Sequence, residues 1–242
     1  MSDIKNTQKP LKRKAYGSIP HLLGSRLGPK DYAIHAGQDR ICTQKVRDRH
    51  DNIIVTEKLD GSNVAVCKVD NEIIALGRAG YKAITSPYEQ HKIFHRFVMD
   101  HEHIFSALLD NGDSVHGEWI ALAHGTIYEG VETPFYVFDY KVNGARISCK
   151  EMWDRCGEAG IPVIPPLHIG GAISSKDAIA LLEENSLFKT PDVLEGVVYR
   201  VERRGAFDYL AKFVQHQKVD GKYMKDLSVS QTEDDVWNWQ RV

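Results

Sequence analysis

The sequence has no run near the roughly 18 consecutive apolar residues of a membrane span, and no apolar signal segment at its amino terminus. Low-complexity tracts are absent as well. Its four cysteines, Cys42, Cys67, Cys149 and Cys156, lack C-x-x-C spacing, which argues against a zinc knuckle and a disulfide framework. We therefore expect a reduced, cytoplasmic protein with no membrane association.

The chain also lacks a strong net charge: it carries −2 over 242 residues, so bulk electrostatics does not make it a polyanion binder. Positive charge is instead local, in residues 9–14 (KPLKRK), 44–50 (QKVRDRH) and 200–205 (RVERRG). Such patches bind phosphates or are simply solvated surface. We predict a flexible basic arm over residues 1–18 and one domain with a short C-terminal tail over residues 19–242.

The order of apolar patterns predicts the fold class. Hydrophobic residues make up 42% of the chain, enough for one sizeable core. Apolar β-branched runs predict strands at 52–58, 63–69, 72–78, 114–121 and 134–142, and a hairpin at 194–214 turning at Arg204-Gly205. Helical spacing predicts helices at 86–112, 150–160 and 174–185, with Ser174 and Asp177 as a capping box, and a terminal amphipathic helix at 232–242. Antiparallel strands in runs with helices between them indicate an α+β fold.

The stretch TEKLDGSN, residues 56–63, places Lys58 at the end of an apolar strand and follows it with a turn at Asp60-Gly61. An amine attacks the phosphorus of a nucleotide only when unprotonated, so its pKa must fall through desolvation or a neighbouring cation. A strand-end lysine can be partly desolvated, and a glycine turn lets the backbone approach a phosphate. By itself, K-x-D-G also fits a solvated lysine beside an ordinary turn.

Five further motifs follow in order on predicted strands or strand ends: GRAG (77–80), HGEW (116–119), YVFDY (136–140), LEGVVYR (194–200) and LAKFV (210–214). With the lysine motif, this series resembles motifs I, Ia, III, IIIa, IV and V of the covalent nucleotidyltransferases, which include ATP-dependent RNA and DNA ligases and capping guanylyltransferases. The pattern E-K-x-x-G-x-N around Lys58 is most similar to RNA ligases related to the second RNA ligase of the T-even phages. The resemblance spans about residues 52–214.

The resemblance implies an antiparallel-sheet nucleotidyltransferase domain, the ATP-grasp-like adenylation fold of ligases, and a role for each motif residue. Lys58 would take AMP from ATP, with Lys212 as the neighbouring cation at the α-phosphate. Glu195 would engage Mg²⁺ or Mn²⁺, for which a carboxylate is a suitable hard ligand. The other implied nucleotide-site residues are Glu57 in the lysine motif, Arg78 and Glu118 at the ribose, Phe138 against adenine, Asp139 in support, and Asn63 at phosphate or the RNA terminus. Each also has an ordinary structural use in a core, turn or ion pair.

One position departs from the family pattern. Motif V of these enzymes usually carries two lysines in K-x-K spacing, and here the first of them is Leu210. Lys218, Lys222 and Arg200 are candidates to supply the missing positive charge. The departure places the efficiency of adenylation or of phosphodiester synthesis in question.

The length after motif V bears on the choice of enzyme. Thirty residues follow Lys212, fewer than the 80–100 or so of an OB-fold domain, so we expect no OB fold and neither a capping enzyme nor a conventional DNA ligase. The first 50 residues and the tail would then bind RNA, with Arg26, Arg40, Arg47 and Arg49 as candidate phosphate contacts. The implied partner is RNA with 5′-phosphate and 3′-hydroxyl ends, bound by a monomer.

Two alternatives to an RNA ligase stay open. One is a minimal DNA ligase, and the other is a nucleic-acid end-binding protein that keeps the fold without turnover, with which Leu210 is consistent. The histidines suggest a third kind of site, since His91 and His95 are four residues apart on a predicted helix. HKIFH lacks the glutamate of a zinc-protease helix, so we expect surface histidines.

Overall fold

The computed structural model describes residues 9–224 and 235–239, and its strands form two antiparallel sheets. The first sheet contains β1 (Asp51–Glu57), β7 (Pro166–Gly170), β8 (Gly196–Arg203) and β9 (Ala206–Val214), in the order β7-β1-β8-β9. The second contains β2 (Ser62–Val69), β3 (Glu72–Gly77), β4 (Ser114–Trp119), β5 (Phe135–Val142) and β6 (Ala145–Arg146), in the order β3-β2-β4-β5-β6. The α+β prediction is confirmed.

Five α-helices and one 3₁₀ helix are present in the described part of the chain. They are α1 (Ala36–Thr43), the 3₁₀ helix Ala83–Thr85, α2 (Glu89–Asp100), α3 (Glu102–Leu108), α4 (Cys149–Glu158) and α5 (Ser175–Asn185). Within those residues, no helix has the length and apolar character needed to cross a bilayer.

Strand β1, which carries Lys58 at its end, is buried on both faces. Ile53 and Val55 belong to a core with Leu182 of α5, whereas Ile54 points to the opposite face and joins the core of the second sheet. Full burial of such side chains contributes about 1.5–3 kcal/mol each. The strand therefore gives Lys58 a rigid base between the two cores.

The second sheet is covered by α2 and α3 through aromatic packing. Phe94 of α2 lies 5.2 Å from Trp119 and 5.5 Å from Phe135, measured between ring centroids. The prediction of one helix over residues 86–112 is wrong, because the helix breaks at His101. The His101 ring there forms a 2.8 Å hydrogen bond with the Phe97 carbonyl, and its backbone leaves helical geometry.

Several local predictions are confirmed. The β8–β9 hairpin turns at Arg204 and Gly205, where φ is 53° and 76°. The Ser174 hydroxyl accepts the Asp177 backbone N–H at 3.1 Å at the start of α5. Turn and capping chemistry is encoded within a few residues, so the sequence alone identifies it.

Residues 9–18 correct the prediction of a flexible arm, because they pack on the second sheet; residues 1–8 lie outside the described part of the chain. Ala15 and Tyr16 are buried, and Lys141 donates to the Ala15 carbonyl at 2.9 Å. The next residues pair with β9: the Lys212 N–H donates to the Pro20 carbonyl, and Leu22 N–H donates to the Lys212 carbonyl. Residues 9–34, which we call the N-terminal segment, thereby cover an otherwise open edge of the first sheet.

The predicted terminal helix falls mostly on residues outside the described part of the chain. Its described portion, residues 235–239, is not helical: Trp237 forms an antiparallel bridge with Leu122, and Trp239 packs on Phe97 and Trp119. Both tryptophans are partly buried against the core of the second sheet. Their spacing of two residues suits extended backbone, and this packing outweighs the helical pattern.

Candidate active site

A cavity of about 250 Å³ opens where the two sheets meet. Its lining comes from the N-terminal segment, both sheets, the loop after β1, helix α4 and the loop between α4 and β7. Seven of the sequence-predicted residues line it: Glu57, Lys58, Asn63, Arg78, Glu118, Phe138 and Lys212. Motifs that are up to 154 positions apart in the chain, from Lys58 to Lys212, thus converge on one cavity.

Lys58 follows β1 directly and is held between carboxylates. Its backbone N–H donates to the Gly196 carbonyl at 2.8 Å, and its Nζ lies 2.8 Å from Glu195 Oε1. Burial lowers the pKa of Lys58, but Glu195 and then Glu118 outweigh burial, so the pKa lies above its ordinary value. The expectation that the pKa of Lys58 is lowered is therefore wrong for the chain by itself, because the charges nearest to its amine are negative.

Glu118 lies beside Asn63, its partner on the neighbouring strand. Burial raises the pKa of Glu118 to about 8, although the Lys58 ammonium opposes the shift. Arg78 comes directly after β3 and donates to the Gly17 carbonyl and the Ser18 hydroxyl, both at 3.3 Å. These side chains give the cavity a polar wall on the second sheet.

The turn after Lys58 is fixed by close packing. A Cβ on Gly61 would lie 2.5 Å from the Trp119 carbonyl oxygen, so glycine is required there. Asp60 accepts the Gly125 N–H at 2.8 Å and pairs with Lys218 Nζ at 2.7 Å. Burial raises the pKa of Asp60, but Lys218 outweighs it and holds the pKa below its usual range. Asp60 therefore anchors the turn from behind.

Two predicted nucleotide-site residues use their side chains for structure. The Glu57 carboxylate accepts the Leu187 N–H at 2.8 Å and the Ser186 hydroxyl at 3.0 Å. Asp139 does not belong to the cavity lining; it is buried beneath it and pairs with Arg146 and Arg200. Burial raises the pKa of Asp139, and Arg146 with Arg200 more than reverses that shift. Both carboxylates act on the framework of the cavity.

Phe138 contributes aromatic lining to the cavity, together with a residue that the sequence did not reveal, Tyr16. Their ring centroids are 5.2 Å apart in an edge-to-face arrangement. Tyr16 also packs under Lys141, whose Nζ is 4.7 Å from the ring centroid. No local pattern marks Tyr16, because Phe138 and Lys141, which contact its ring, lie more than 100 residues away in the chain.

Lys212 lies on β9 and lines the cavity. Beside it is a side-chain pair that the sequence did not reveal, between His21 and Asp31. His21 Nε2 is 3.1 Å from Asp31, and Lys212 Nζ is 3.6 Å from the same carboxylate. Burial lowers the pKa of Lys212, and the Lys58 ammonium lowers it further. His21 and Asp31 meet Lys212 through the edge pairing of the N-terminal segment, which no short-range motif encodes.

The three candidates to replace the missing motif V lysine differ in whether their charge reaches the cavity. Lys218 is buried against Asp60, and Lys222 pairs with Asp192 at 2.5 Å, so both serve other partners. Arg200 lines the cavity and is the cross-strand neighbour of Leu210. Its guanidinium binds Asp139, Glu202 and the Ile147 carbonyl. A cation thus lies next to position 210, although carboxylates share its charge.

None of the four candidate RNA-binding arginines belongs to the cavity lining. Arg26 pairs with Asp220 at 2.6 Å, and Arg47 pairs with Asp51 and Asp208. Arg40 on α1 and Arg49 before β1 are exposed. Their assignment to phosphate contacts stays a prediction.

Glu195, which is not part of the cavity lining but pairs with Lys58, has a carboxylate that fits a divalent cation. Glu195 uses Oε1 to hold Lys58, while its Oε2 is buried without a hydrogen-bond partner in the described structure. A buried oxygen with free lone pairs is a suitable ligand for a hard cation. Among the described residues, no three His, Cys, Asp or Glu side chains cluster as a metal centre, and His91 instead bonds to Ser86 at 2.7 Å.

Comparison with solved structures shows which fold the chain shares. An archaeal ATP-dependent RNA ligase superposes with a TM-score of 0.50 at 18% identity, over 84% of this chain and 48% of that one. The RNA ligase of Naegleria gruberi, solved with PPi, gives a TM-score of 0.47 at 16% identity, over 81% and 59%. This chain spans about half the length of the archaeal ligase.

Sequence comparison identifies the family. An uncharacterized protein of Methanocaldococcus jannaschii is 26% identical over 124 residues, which cover 49% of this chain and 31% of that protein. The family model described as RNA ligase matches residues 51–214, most of the chain. The chain belongs to the RNA ligase family.

Proposed function

We propose that the protein is an ATP-dependent RNA ligase that joins a 3′-hydroxyl to a 5′-phosphate, with Lys58 as the nucleophile. The observation that carries the proposal is the convergence of Lys58, Glu118, Asn63, Arg78 and Lys212 on one cavity. Phosphoryl transfer depends mainly on positioning and charge compensation, which such a set of groups supplies. The cavity lining combines aromatic and aliphatic side chains with charged groups, which suits a nucleoside joined to phosphate.

The proposed reaction has three steps. Lys58 Nζ attacks the α-phosphorus of ATP, and pyrophosphate leaves. An oxygen of the RNA 5′-phosphate then attacks the same phosphorus, breaks the P–N bond and frees the lysine. Finally the 3′-hydroxyl attacks the phosphorus of that 5′-phosphate, a phosphodiester forms and AMP leaves. In this scheme Asn63 contacts the phosphate or RNA end, and Lys212 compensates charge at the α-phosphate.

The residues around Lys58 determine whether its amine holds or releases a proton. Glu195 and Glu118 raise the pKa of the amine, so they hold it as ammonium. The free oxygen of Glu195 would hold Mg²⁺ or Mn²⁺, which when bound neutralises phosphate charge. Once Glu195 has another partner, it stabilises the ammonium less, and desolvation then favours the neutral amine.

The nucleoside is proposed to bind against the aromatic part of the cavity lining. Phe138, which packs edge to face on the buried Tyr16, presents aromatic surface to the base, while Arg78 and Glu118 are placed for the ribose hydroxyls. Asp139 acts from below by fixing Arg146 and Arg200. We expect a monomer to be sufficient, because all these groups come from one chain.

The first test is the intact mass of the protein after incubation with ATP and Mg²⁺, beside Lys58→Ala and the exposed control Lys176→Ala. We expect a gain of one AMP on the native chain and on Lys176→Ala, and none on Lys58→Ala. A native chain that is folded, carries no AMP when isolated and gains none would contradict the ligase mechanism.

Leu210 favours one alternative, an end-binding protein without turnover, because it places an apolar side chain where the family pattern has a cation. That protein would bind nicked RNA and form no AMP adduct. If an adduct forms, nicked duplexes with RNA or DNA at the 3′-hydroxyl side distinguish an RNA ligase from a minimal DNA ligase.

A further inference from the structure

A second cavity, of about 480 Å³, lies beside the first and shares Asn63 and Arg78 with it. It is formed by the segment that follows β3, the 3₁₀ helix and the start of α2. Beyond those two, the motif residues Ser62, Gly77 and Ala79 also line it, and the proposed ligase mechanism assigns no role to any of these three. We call it the tyrosine groove; its characteristic lining residues are Arg78, Tyr81, Lys82, Tyr88 and His91.

The tyrosine groove is basic as well as aromatic. Among the described residues that line it there is no Asp or Glu, whereas Arg78 and Lys82 are both present. The acidic residue nearest in sequence, Glu89, is engaged by Lys92 at 3.6 Å and Arg96 at 2.9 Å. Charge in this cavity therefore favours an anion.

Two tyrosines give the groove exposed ring surface. Tyr81 is 43% exposed, which is high for a large aromatic side chain, and Lys9 Nζ lies 4.9 Å from its ring centroid. The Tyr88 ring meets His91 edge to face at 5.7 Å, so the orientation of that ring is supported. Aromatic faces beside cations are the combination that binds single-stranded nucleic acid, by stacking on bases and pairing with phosphates.

Hydrogen bonds hold the walls of the groove in place. The Ser86 hydroxyl bonds to His91 Nδ1 at 2.7 Å and accepts the Tyr88 N–H at 3.2 Å. The Thr85 hydroxyl donates to the Lys82 carbonyl at 2.8 Å. A site ordered in this way loses little entropy when a ligand binds.

We propose that the tyrosine groove binds a nucleotide of the RNA strand adjacent to the ligation junction, with a base against Tyr81 or Tyr88 and a phosphate at Lys82. The proposal rests on the proposed function, since Asn63 and Arg78 connect the groove to the cavity of Lys58. Either end to be joined could supply this nucleotide, because both have the same base and phosphate chemistry.

The test measures the Kd of short single-stranded RNA by fluorescence anisotropy for native protein, Tyr81→Ala, Tyr81→Phe and Lys82→Gln. One RNA carries a 3′-hydroxyl and a blocked 5′ end, and the other a 5′-phosphate and a blocked 3′ end, to show which strand occupies the groove. We expect Tyr81→Ala to raise the Kd at least about five-fold for one RNA and Tyr81→Phe to retain affinity, because the ring is what stacks. Lys82→Gln should weaken binding and reduce the salt dependence by about one ion.

Matched controls are Ile84→Ala, an exposed residue of the same 3₁₀ helix outside the groove lining, and Lys176→Gln on α5. Unchanged Kd values for Tyr81→Ala and Lys82→Gln, in proteins whose thermal unfolding matches the native chain, would overturn the proposal. The AMP adduct of the native chain is measured separately. If RNA binding depends on Tyr81 but the native chain forms no AMP adduct, the proposal for the groove is supported and the proposed ligase mechanism is contradicted.

Discussion

At the scale of single residues, the candidate nucleophile is held by an ion pair. Lys58 is 24% exposed and its Nζ is held by Glu195 at 2.8 Å, so the folded chain favours the ammonium form. A nucleophilic lysine that rests as an ammonium avoids reaction with other electrophiles. Its activation then depends on a change in the partners of Glu195.

We predict that Lys58 reacts with an amine-acylating reagent at higher pH than the exposed Lys176 does. The reason is that the pKa of Lys58 is raised, mainly through Glu195, so a smaller fraction of it is neutral at a given pH. Glu195→Gln removes that carboxylate, and the pH at which Lys58 reacts should fall. Mass spectrometry of labelled peptides between pH 8 and 11 measures both. Equal labelling curves for Lys58 in the native chain and Glu195→Gln would contradict the assigned cause.

The lowered pKa of His116 predicts how the free energy of unfolding changes with pH. His116 is fully buried against Tyr16, and burial, aided by Lys141, lowers its pKa to about 3. Below the unfolded value of about 6.5, the unfolded chain takes up a proton that the folded chain refuses. Stability from this group is therefore lost as pH falls from 6.5 towards 3, by about 1.4 kcal/mol per pH unit.

The measurement is urea unfolding of the native chain and His116→Gln at pH 7 and pH 5. Between these values the native chain should lose about 2 kcal/mol more unfolding free energy than the variant. The comparison uses the pH dependence, so a constant cost of the substitution cancels. Parallel losses in the two proteins would show that His116 titrates normally.

At the scale of secondary-structure elements, the pairing of β8 with β9 explains the departure at position 210. Leu210 stands directly opposite Arg200, and Lys212 opposite Val198. Like charges that face each other across a strand pair are destabilising. A leucine opposite Arg200 avoids this repulsion, while the arginine keeps positive charge in the cavity lining.

We predict that Leu210→Lys destabilises the protein, because it places a second cation opposite Arg200 and next to the Lys58 site. The expected loss of unfolding free energy is about 1 kcal/mol, measured by urea titration at low salt. Leu210→Met keeps the volume and charge and should be nearly neutral. Increased stability of Leu210→Lys would mean that Asp139 and Glu202 leave negative charge uncompensated.

Elements also show what the sequence can predict. The strands at residues 52–58 and 63–69, the hairpin turn at Arg204-Gly205 and the Ser174 cap were predictable because their signals are local. The break of the long helix at His101 was not, since the apolar spacing continues across it and no pattern marks the hydrogen bond between the His101 ring and the Phe97 carbonyl.

At the scale of the whole molecule, the N-terminal segment completes the site. Ordered motifs indicated that residues such as Lys58 and Glu118 share a cavity, and the structure brings them together there. Tyr16 and His21 could not be found in this way, because they reach the site through sheet-edge pairing and packing over long sequence distances. The flexible-arm prediction was wrong for residues 9–18 for the same reason: a short basic run looks the same whether solvated or packed.

The same organisation predicts that ATP stabilises the whole protein, since the cavity joins the N-terminal segment, both sheets and α4. In Lys58→Ala, which cannot form the adduct, ATP at about 100 times its Kd should add about 2.7 kcal/mol and raise the Tm by roughly 5–10 °C. Adding Tyr16→Ala lowers the starting Tm through lost packing and should also reduce the shift caused by ATP, because Tyr16 forms the apolar wall. Tyr32→Ala, an exposed tyrosine outside the cavity lining, is the matched control. Equal ATP shifts with and without the Tyr16 ring would show that the N-terminal segment supports the fold and takes no part in nucleotide binding.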